Sequence, residues 1–363
     1  MDVGVLLVFQ NWHENLTDGE MFRQEAELGV LAEEYGFDSV WAAEHHFDDY
    51  SMCPDNLQLM AYLAGRTSRV QLGTGAVILP WNDPLRVVEK VTMLDILSQG
   101  RVVFGMGRGL AKMEYEGFGV DMNASRGMFD EAAPMIIEGL KNGYVEHEGP
   151  NYTQAKVTVR PGPEPGTDWT DRLYGVAMSP DSVPAVAKIG ARMMTFMQYP
   201  AEMHVPAMER YREVYRETHH KEPGPILTQD FIYCHEDATE AEAVAREYLS
   251  RYFLSVIKHY DFAGSHWRDT KGYEAYQQGA DMIREAGMEA AGAGYADTQI
   301  WGTPEQIVEK YRHRLELFGD HQPNVAPSFA GLPFDKVRAS MKLFADKVVP
   351  ELHKMGVQTA VPA

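Results

Sequence analysis

The sequence predicts a (β/α)8 TIM barrel built as a single domain over residues 1–363. Short β-rich runs alternate with longer helical patterns, the signature of parallel βαβ construction. About eight such pairs fit the length a decorated barrel needs. No internal repeat, low-complexity tract or linker divides the chain.

The first strand is expected at Val3 to Phe9, followed by a helix from about Thr17 to Tyr35, with Thr17 or Asp18 as N-cap and Gly36 as its stop. Strands follow near Ser39 to Ala43 and Val70 to Ile78. A helix from Pro84 to Leu97 begins with proline at its first position and ends before Gly100. The fourth strand is Val102 to Met106. Tyr152 to Val159 reads as an inserted strand before the loop "RPGPEPGTDW", an insertion and not a domain boundary. Alternation resumes with strands at Leu173 to Ala177, Arg192 to Gln198 and Leu227 to Cys234. Helices start at Pro180, at about Ala201 and after Asp237. The glycine-rich stretch from Asp261 to Asp297 lacks sustained core periodicity and is expected to be a long mobile loop, a lid or a disordered segment. Thr303 caps another helix, and Val325 to Phe329 with Phe334 to Leu352 complete the alternation.

Lys and Arg number 33 against 53 Asp and Glu, a formal charge of −20. That balance argues against nucleic acid or an anionic membrane surface as partner. A small anionic ligand needs a local cationic pocket. The two cysteines, Cys53 and Cys234, are isolated and give neither a disulfide framework nor a cysteine-based zinc site. A cytoplasmic location is the expectation. No apolar stretch approaches the roughly 20 residues of a membrane span.

Catalytic groups of such barrels gather where strands end. The run "VWAAEHHFDDY" ends a strand in Glu44, His45, His46, Asp48 and Asp49. Side-chain alternation puts Glu44 and His46 on one face and His45 on the other, so the two histidines do not readily bind one metal. Hydrogen-bonded packing histidines and a solvated loop remain the plainer alternative. Arg108 follows the fourth strand between Gly107 and Gly109, where backbone can approach a ligand and an arginine fork suits a phosphate. A surface salt bridge is its alternative role. "SPDS" at Ser179 to Ser182 opens a helix whose free N–H groups suit a phosphate, or is simple capping.

"WAAEHHF" at 41–47, "LGTGAVILPWNDPLRVVEKVTMLDILSQGRVVFGMGRGL" at 72–110 and "DMNASRGMFDEA" at 121–132 resemble the luciferase-like flavin monooxygenases, the α subunit of bacterial luciferase in particular. "YGVAMSPDSVPAVAKIGA", "WGTPEQI" and "PSFAGLPFDKVRASMKLFADKVVPEL" extend the resemblance over nearly the whole chain.

The resemblance implies a barrel that binds reduced FMN from a separate flavin reductase and reacts it with O2 to a C4a-peroxyflavin. It carries the catalytic role to His45, with Glu44 as an acid that tunes the imidazole or is structural. It assigns the FMN phosphate to Arg108, Ser179 and Ser182. A non-prolyl cis peptide beneath the flavin ring maps to Gly75 and Ala76, although a glycine bulge is a plain alternative. Gly107 and Met178 also fall beside the cofactor, where the family relative has a cysteine and a glutamate. Those departures argue against light emission. Met106, Met113, Met178, Met194 and Met197 with Trp12 and Trp81 suggest a roomy apolar pocket for an aldehyde, ketone or hydrocarbon, or are core filler. The family implies pairing with a second barrel, as a homodimer or heterodimer. An F420-dependent oxidoreductase and a non-catalytic flavin-binding subunit are the alternatives.

Overall fold

The first strand, β1 (Gly4–Leu7), is buried at all four residues, as a strand enclosed by side chains within and helices without must be. In the computed structural model, which describes residues 1–262, 264 and 266–358, seven further parallel strands close with it into a barrel of eight. The strands in chain order are β1, β2 (Ser39–Ala42), β3 (Gln71–Thr74), β4 (Val77–Ile78) and β5 (Val102–Gly107). A hairpin of β6 (Tyr144–Glu148) and β7 (Thr153–Thr158) precedes β8 (Leu173–Val176), β9 (Arg192–Phe196), β10 (Ile226–Cys234), β11 (Ile300–Gly302) and β12 (His321–Ala326). The barrel runs β1-β2-β3-β5-β8-β9-β10-β12 and returns to β1, with β4 on the end of β5 and β11 on the end of β10. This is the expected TIM barrel.

Local chemistry sets the helix starts. Thr17 and Glu20 form a reciprocal capping box at the start of helix Asp18–Tyr35, and Gly36 ends it in the left-handed conformation, φ 93°. Thr303 and Gln306 repeat the box before helix Pro304–Phe318. Asp83 caps helix Pro84–Leu97 by accepting the Arg86 N–H, an arrangement worth about 1 kcal/mol.

Several expectations are corrected. The strand expected over Val70 to Ile78 is interrupted between β3 and β4 by a cis Gly75–Ala76 peptide bond. The inserted strand has a partner, β6, and the two form an antiparallel hairpin. Helix Asn56–Ala64 stands where the sequence suggested none. The helix expected from Pro180 begins at Ser182 and runs only to Lys188, because the Ser179 carbonyl accepts the Ser182 and Val183 N–H groups in a turn. The last strand lies at His321–Ala326, earlier than expected, and the final helical region divides into Phe334–Lys347 and Val349–Gln358.

The largest correction concerns residues 261–297. They form a short turn of helix, His266–Asp269, and the helices Ala275–Ala286 and Met288–Thr298, not a long loop. Trp267 and Tyr273 are wholly buried there, and Phe262, Trp267, Tyr273 and Tyr276 pack ring against ring. Gly292 lets its helix approach helix Ala238–His259, since a Cβ would sit 3.3 Å from Ser250 Cβ. Gly292 is thus a contact residue, Gly272 and Gly287 take positive φ at turns, and aromatic burial supplies the driving force.

Candidate active site

Sequence places the chemistry-bearing residues just beyond the strands, and the barrel gathers them. Glu44 and His45 follow β2, Gly75 and Ala76 join β3 to β4, Gly107 ends β5 with Arg108 after it, and Met178, Ser179 and Ser182 follow β8. All nine line one cavity enclosing about 1160 Å³, part of it continuous with solvent. Leu6, Val8, Phe196 and Phe231 give it an apolar floor and wall.

His45 is paired with Glu114, which sequence reasoning missed. Its Nδ1 lies 3.0 Å from Glu114 Oε1, the same oxygen that accepts the His46 N–H at 2.8 Å. A carboxylate accepts, so the proton is assigned to Nδ1, and Nε2 keeps its lone pair, 3.3 Å from the Tyr260 hydroxyl. Burial raises the Glu114 carboxyl, yet the His45 ring, the hydrogen bond to it, His259 and the His46 N–H together hold it below the usual carboxylate range. Glu114 is therefore a buried anion that orients the His45 ring toward the cavity.

Glu44 is not that partner. Its Oε1 accepts from Trp81 Nε1 and Asn82 Nδ2 at 2.8 Å each and from His46 Nε2 at 3.3 Å. Its Oε2 accepts the Ile78 N–H at 3.1 Å. Those four donors make it a clamp between the end of β2 and the turn after β4. Glu44 and His46 do share a side, as strand alternation predicts, while His45 turns away.

Arg108 is nearly buried, at 9% exposure. Its Nη2 donates to the Gly272 carbonyl at 2.8 Å, its guanidinium stacks 3.8 Å over the Tyr273 ring, and Nη1 is buried without a partner. This is no surface salt bridge. Arg126, also missed, stands near it with Nε and Nη2 buried and unpartnered. Burial and then the Arg108 charge push the Arg126 guanidinium below its ordinary value. The Ser179 and Ser182 hydroxyls, 3.0 Å apart, are turned to each other within their own turn. With a helix of seven residues behind them, they offer hydroxyls more than a helix dipole.

His45, Glu114 and His259 each present a ligand atom within 4.8 Å of the others. That grouping differs from the Glu44–His46 set considered from sequence. A second, more apolar cavity of about 1400 Å³, part of it open to solvent, shares Met178, Gln198, Tyr276 and Tyr295 with the first. Phe253, Val256, Phe262 and Ile283 line it. Both cysteines are free and buried, and no described helix is long and apolar enough to cross a membrane.

A family model described as luciferase-like monooxygenase matches residues 1–322. The alkanal monooxygenase alpha chain of Photorhabdus laumondii subsp. laumondii is 29% identical over 354 residues, covering 92% of this chain and 93% of the relative. That of Photobacterium leiognathi is 28% identical over 348 residues, covering 92% and 94%. Among solved structures, monooxygenase RslO1 from Streptomyces bottropensis has a TM-score of 0.80 at 25% identity, over 96% of this chain and 99% of that one. An F420-dependent secondary alcohol dehydrogenase, at 16% identity over 97% and 98%, shares the fold with a TM-score of 0.69.

Proposed function

Because the chain belongs to the luciferase-like monooxygenase family, a family of flavin-dependent enzymes, we propose that it is a reduced-FMN-dependent monooxygenase. A separate reductase would supply the flavin, and one oxygen atom of O2 would enter a small apolar substrate, an aldehyde, ketone or hydrocarbon. The observation that carries the reading is that Arg108 Nη1 and Arg126 Nε and Nη2 are buried without partners, while Arg126 Nη1 reaches Asp130 at 3.5 Å. A buried guanidinium nitrogen without a partner is costly, and a terminal phosphate answers it with charge-assisted hydrogen bonds. Gly107, which lines the cavity, lets β5 lie close against β4, since a Cβ there would come within 2.8 Å of Ile78 Cδ1.

Bound reduced FMN would supply the electrons that activate O2. The residues supply the rest. Arg108 and Arg126 hold the phosphate end, with the Ser179 and Ser182 hydroxyls turning outward to join them. His45, which lines the same cavity, accepts or returns a proton at Nε2, its tautomer fixed by Glu114. The apolar walls exclude water from the reacting atoms. The second cavity, opening past Met178 and Tyr276, would take the apolar body of the substrate. Pairing of two such barrels, as a homodimer or heterodimer, belongs to the same reading.

Anaerobic titration with reduced FMN, followed by rapid mixing with O2, tests this. Saturable binding and a transient absorbing species distinct from oxidised FMN are expected. Arg126→Ala should weaken FMN binding by about 10- to 100-fold, from the roughly 1.5–3 kcal/mol of a hydrogen bond to a charged group, while leaving riboflavin binding unchanged. His45→Ala should keep FMN binding and lower turnover by about 10²- to 10⁴-fold. Absent FMN binding with tight binding of F420 overturns the cofactor assignment.

A further inference from the structure

The acid/base chain does not end at His45. His259, the last residue of helix Ala238–His259, has a fully buried side chain. Its Nδ1 lies 3.3 Å from Asp48 Oδ2, and its Nε2, buried without a partner, faces Glu114 Oε1 at 3.7 Å. The ring stacks on Tyr50 at 4.4 Å and stands perpendicular to His45 at 5.0 Å between centroids. On the outer side, the Asp48 carboxylate is 11% exposed and that of its neighbour Asp49 is 49% exposed. Lys258 Nζ lies 3.7 Å from the first and 3.5 Å from the second.

We propose that Glu114, His259 and Asp48 form a proton relay between His45 and solvent, with the Asp48–Asp49 pair as its outer port. The inference rests on the reading that His45 handles a proton in the reaction. The hydrogen-bond pattern sets the resting protons. His259 donates Nδ1–H to Asp48, so its Nε2 lone pair faces the Glu114 carboxylate. Two acceptors repel, which accounts for a separation about 0.5 Å beyond a normal hydrogen bond. When His45 takes a proton at Nε2, it gives its Nδ1 proton to Glu114. The protonated Glu114 becomes a donor, closes on His259 Nε2 and gives it that proton, returning to a carboxylate. His259 passes its own Nδ1 proton to Asp48, and Asp48 or Asp49 releases one to water. One proton enters, one leaves, and each ring ends as the other neutral tautomer; return transfer or ring rotation resets them.

The groups facing His259 suit this. His45, Glu114, Tyr50 and Tyr260 lie on the inner side, and Asp48, Asp49 and Lys258 on the outer. Burial, and then repulsion from the His45 ring whenever that ring is protonated, bring the His259 ring to about 3. Burial and then a hydrogen bond shared with Asp48 raise the Asp49 carboxyl, as befits two acids that exchange one proton with solvent.

The test uses flavin-free full-length protein with ¹⁵N-labelled histidine. Exchange of the His45 ring proton with water is measured by NMR in the wild type, Asp48→Asn and His259→Gln. Both substitutions keep polar side chains, and Asp48→Asn lies near the surface, so one variant folds even if the buried one does not. At least about 10-fold slower exchange in either folded variant is expected, with small buffers restoring turnover in the loaded enzyme. Unchanged exchange overturns the relay whatever the activity. A stoichiometric zinc ion held by the wild type and lost in His259→Gln also overturns it, in favour of a metal centre. Intact exchange in a wild type that never oxygenates a substrate removes the monooxygenase reading alone.

Discussion

Glu25 is a wholly buried carboxyl that takes no part in the candidate site, yet it fixes the end of β1. Its Oε1 accepts the Val8 and Phe9 N–H groups at 2.9 and 3.3 Å, freeing the chain to leave the barrel. Burial outweighs the hydrogen bonds from Ser328, Val8 and Phe9 and raises its value to about 6 from 4.5. The sign follows from proton counting. Between pH 4.5 and 6 the folded chain holds the proton more tightly than the unfolded chain, so this group's contribution to stability falls as pH rises through that window. A rise of about 1.5 units corresponds to about 2 kcal/mol. Urea unfolding of wild type and Glu25→Gln should therefore show the variant gaining about 2 kcal/mol relative to wild type between pH 4 and pH 7. Parallel pH profiles would show that the carboxyl is ionised freely. At the same scale, His45 and Arg108 were legible because each stands beside a strand end in a local pattern. Glu114, Arg126 and His259 were not, because each reaches the site from a helix and only tertiary packing gives it a partner. Arg126 sits inside "DMNASRGMFDEA", where the chain resembles its family, and a second guanidinium with buried, unpartnered nitrogens is what that segment contributes.

Elements were legible where their own residues encode their ends. Helices Asp18–Tyr35, Pro84–Leu97 and Pro304–Phe318 carry side-chain caps, and their structure matches the reading. The 261–297 region misled because glycine signals a loop locally, while Gly292 serves helix contact and Gly294 lies within the same helix. Tyr276, Ala280 and Ile283 do recur at helical spacing on one face of helix Ala275–Ala286. The contact between β10 and helix Pro304–Phe318 is likewise invisible in sequence, since it joins Asp230 to Arg314. Arg314 Nη1 reaches the two carboxylate oxygens at 2.7 and 2.8 Å, both side chains being buried. Burial raises the Asp230 carboxyl despite the attraction of Arg314, so the pair does not stabilise by charge alone. Asp230→Ala should destabilise by about 3–5 kcal/mol, because it strands a buried guanidinium. Asp230→Leu combined with Arg314→Met should recover most of that loss in urea unfolding. Equal destabilisation in the single and double variants would assign the cost to packing instead.

At the scale of the whole molecule, the −20 charge opposes the very ligand that Arg108 and Arg126 are disposed to hold. A phosphate monoester is close to dianionic at neutral pH. The Debye length decides which field it meets on approach: about 30 Å at 0.01 M salt, wide enough to feel the net charge, but about 8 Å at 0.15 M. The two arginines are largely buried, so their contact with a seated phosphate is screened much less than the long-range repulsion. Stopped-flow binding of reduced FMN should therefore show an association rate that rises with added salt over this range, while dissociation changes little. This reverses the usual weakening of an arginine–phosphate contact by salt. Riboflavin, which lacks the phosphate, provides the control and should associate at a rate independent of salt. An association rate for FMN that falls with salt would mean that the arginine field reaches past the cavity mouth and dominates the encounter. The acidic surface then would act on larger partners, not on the flavin.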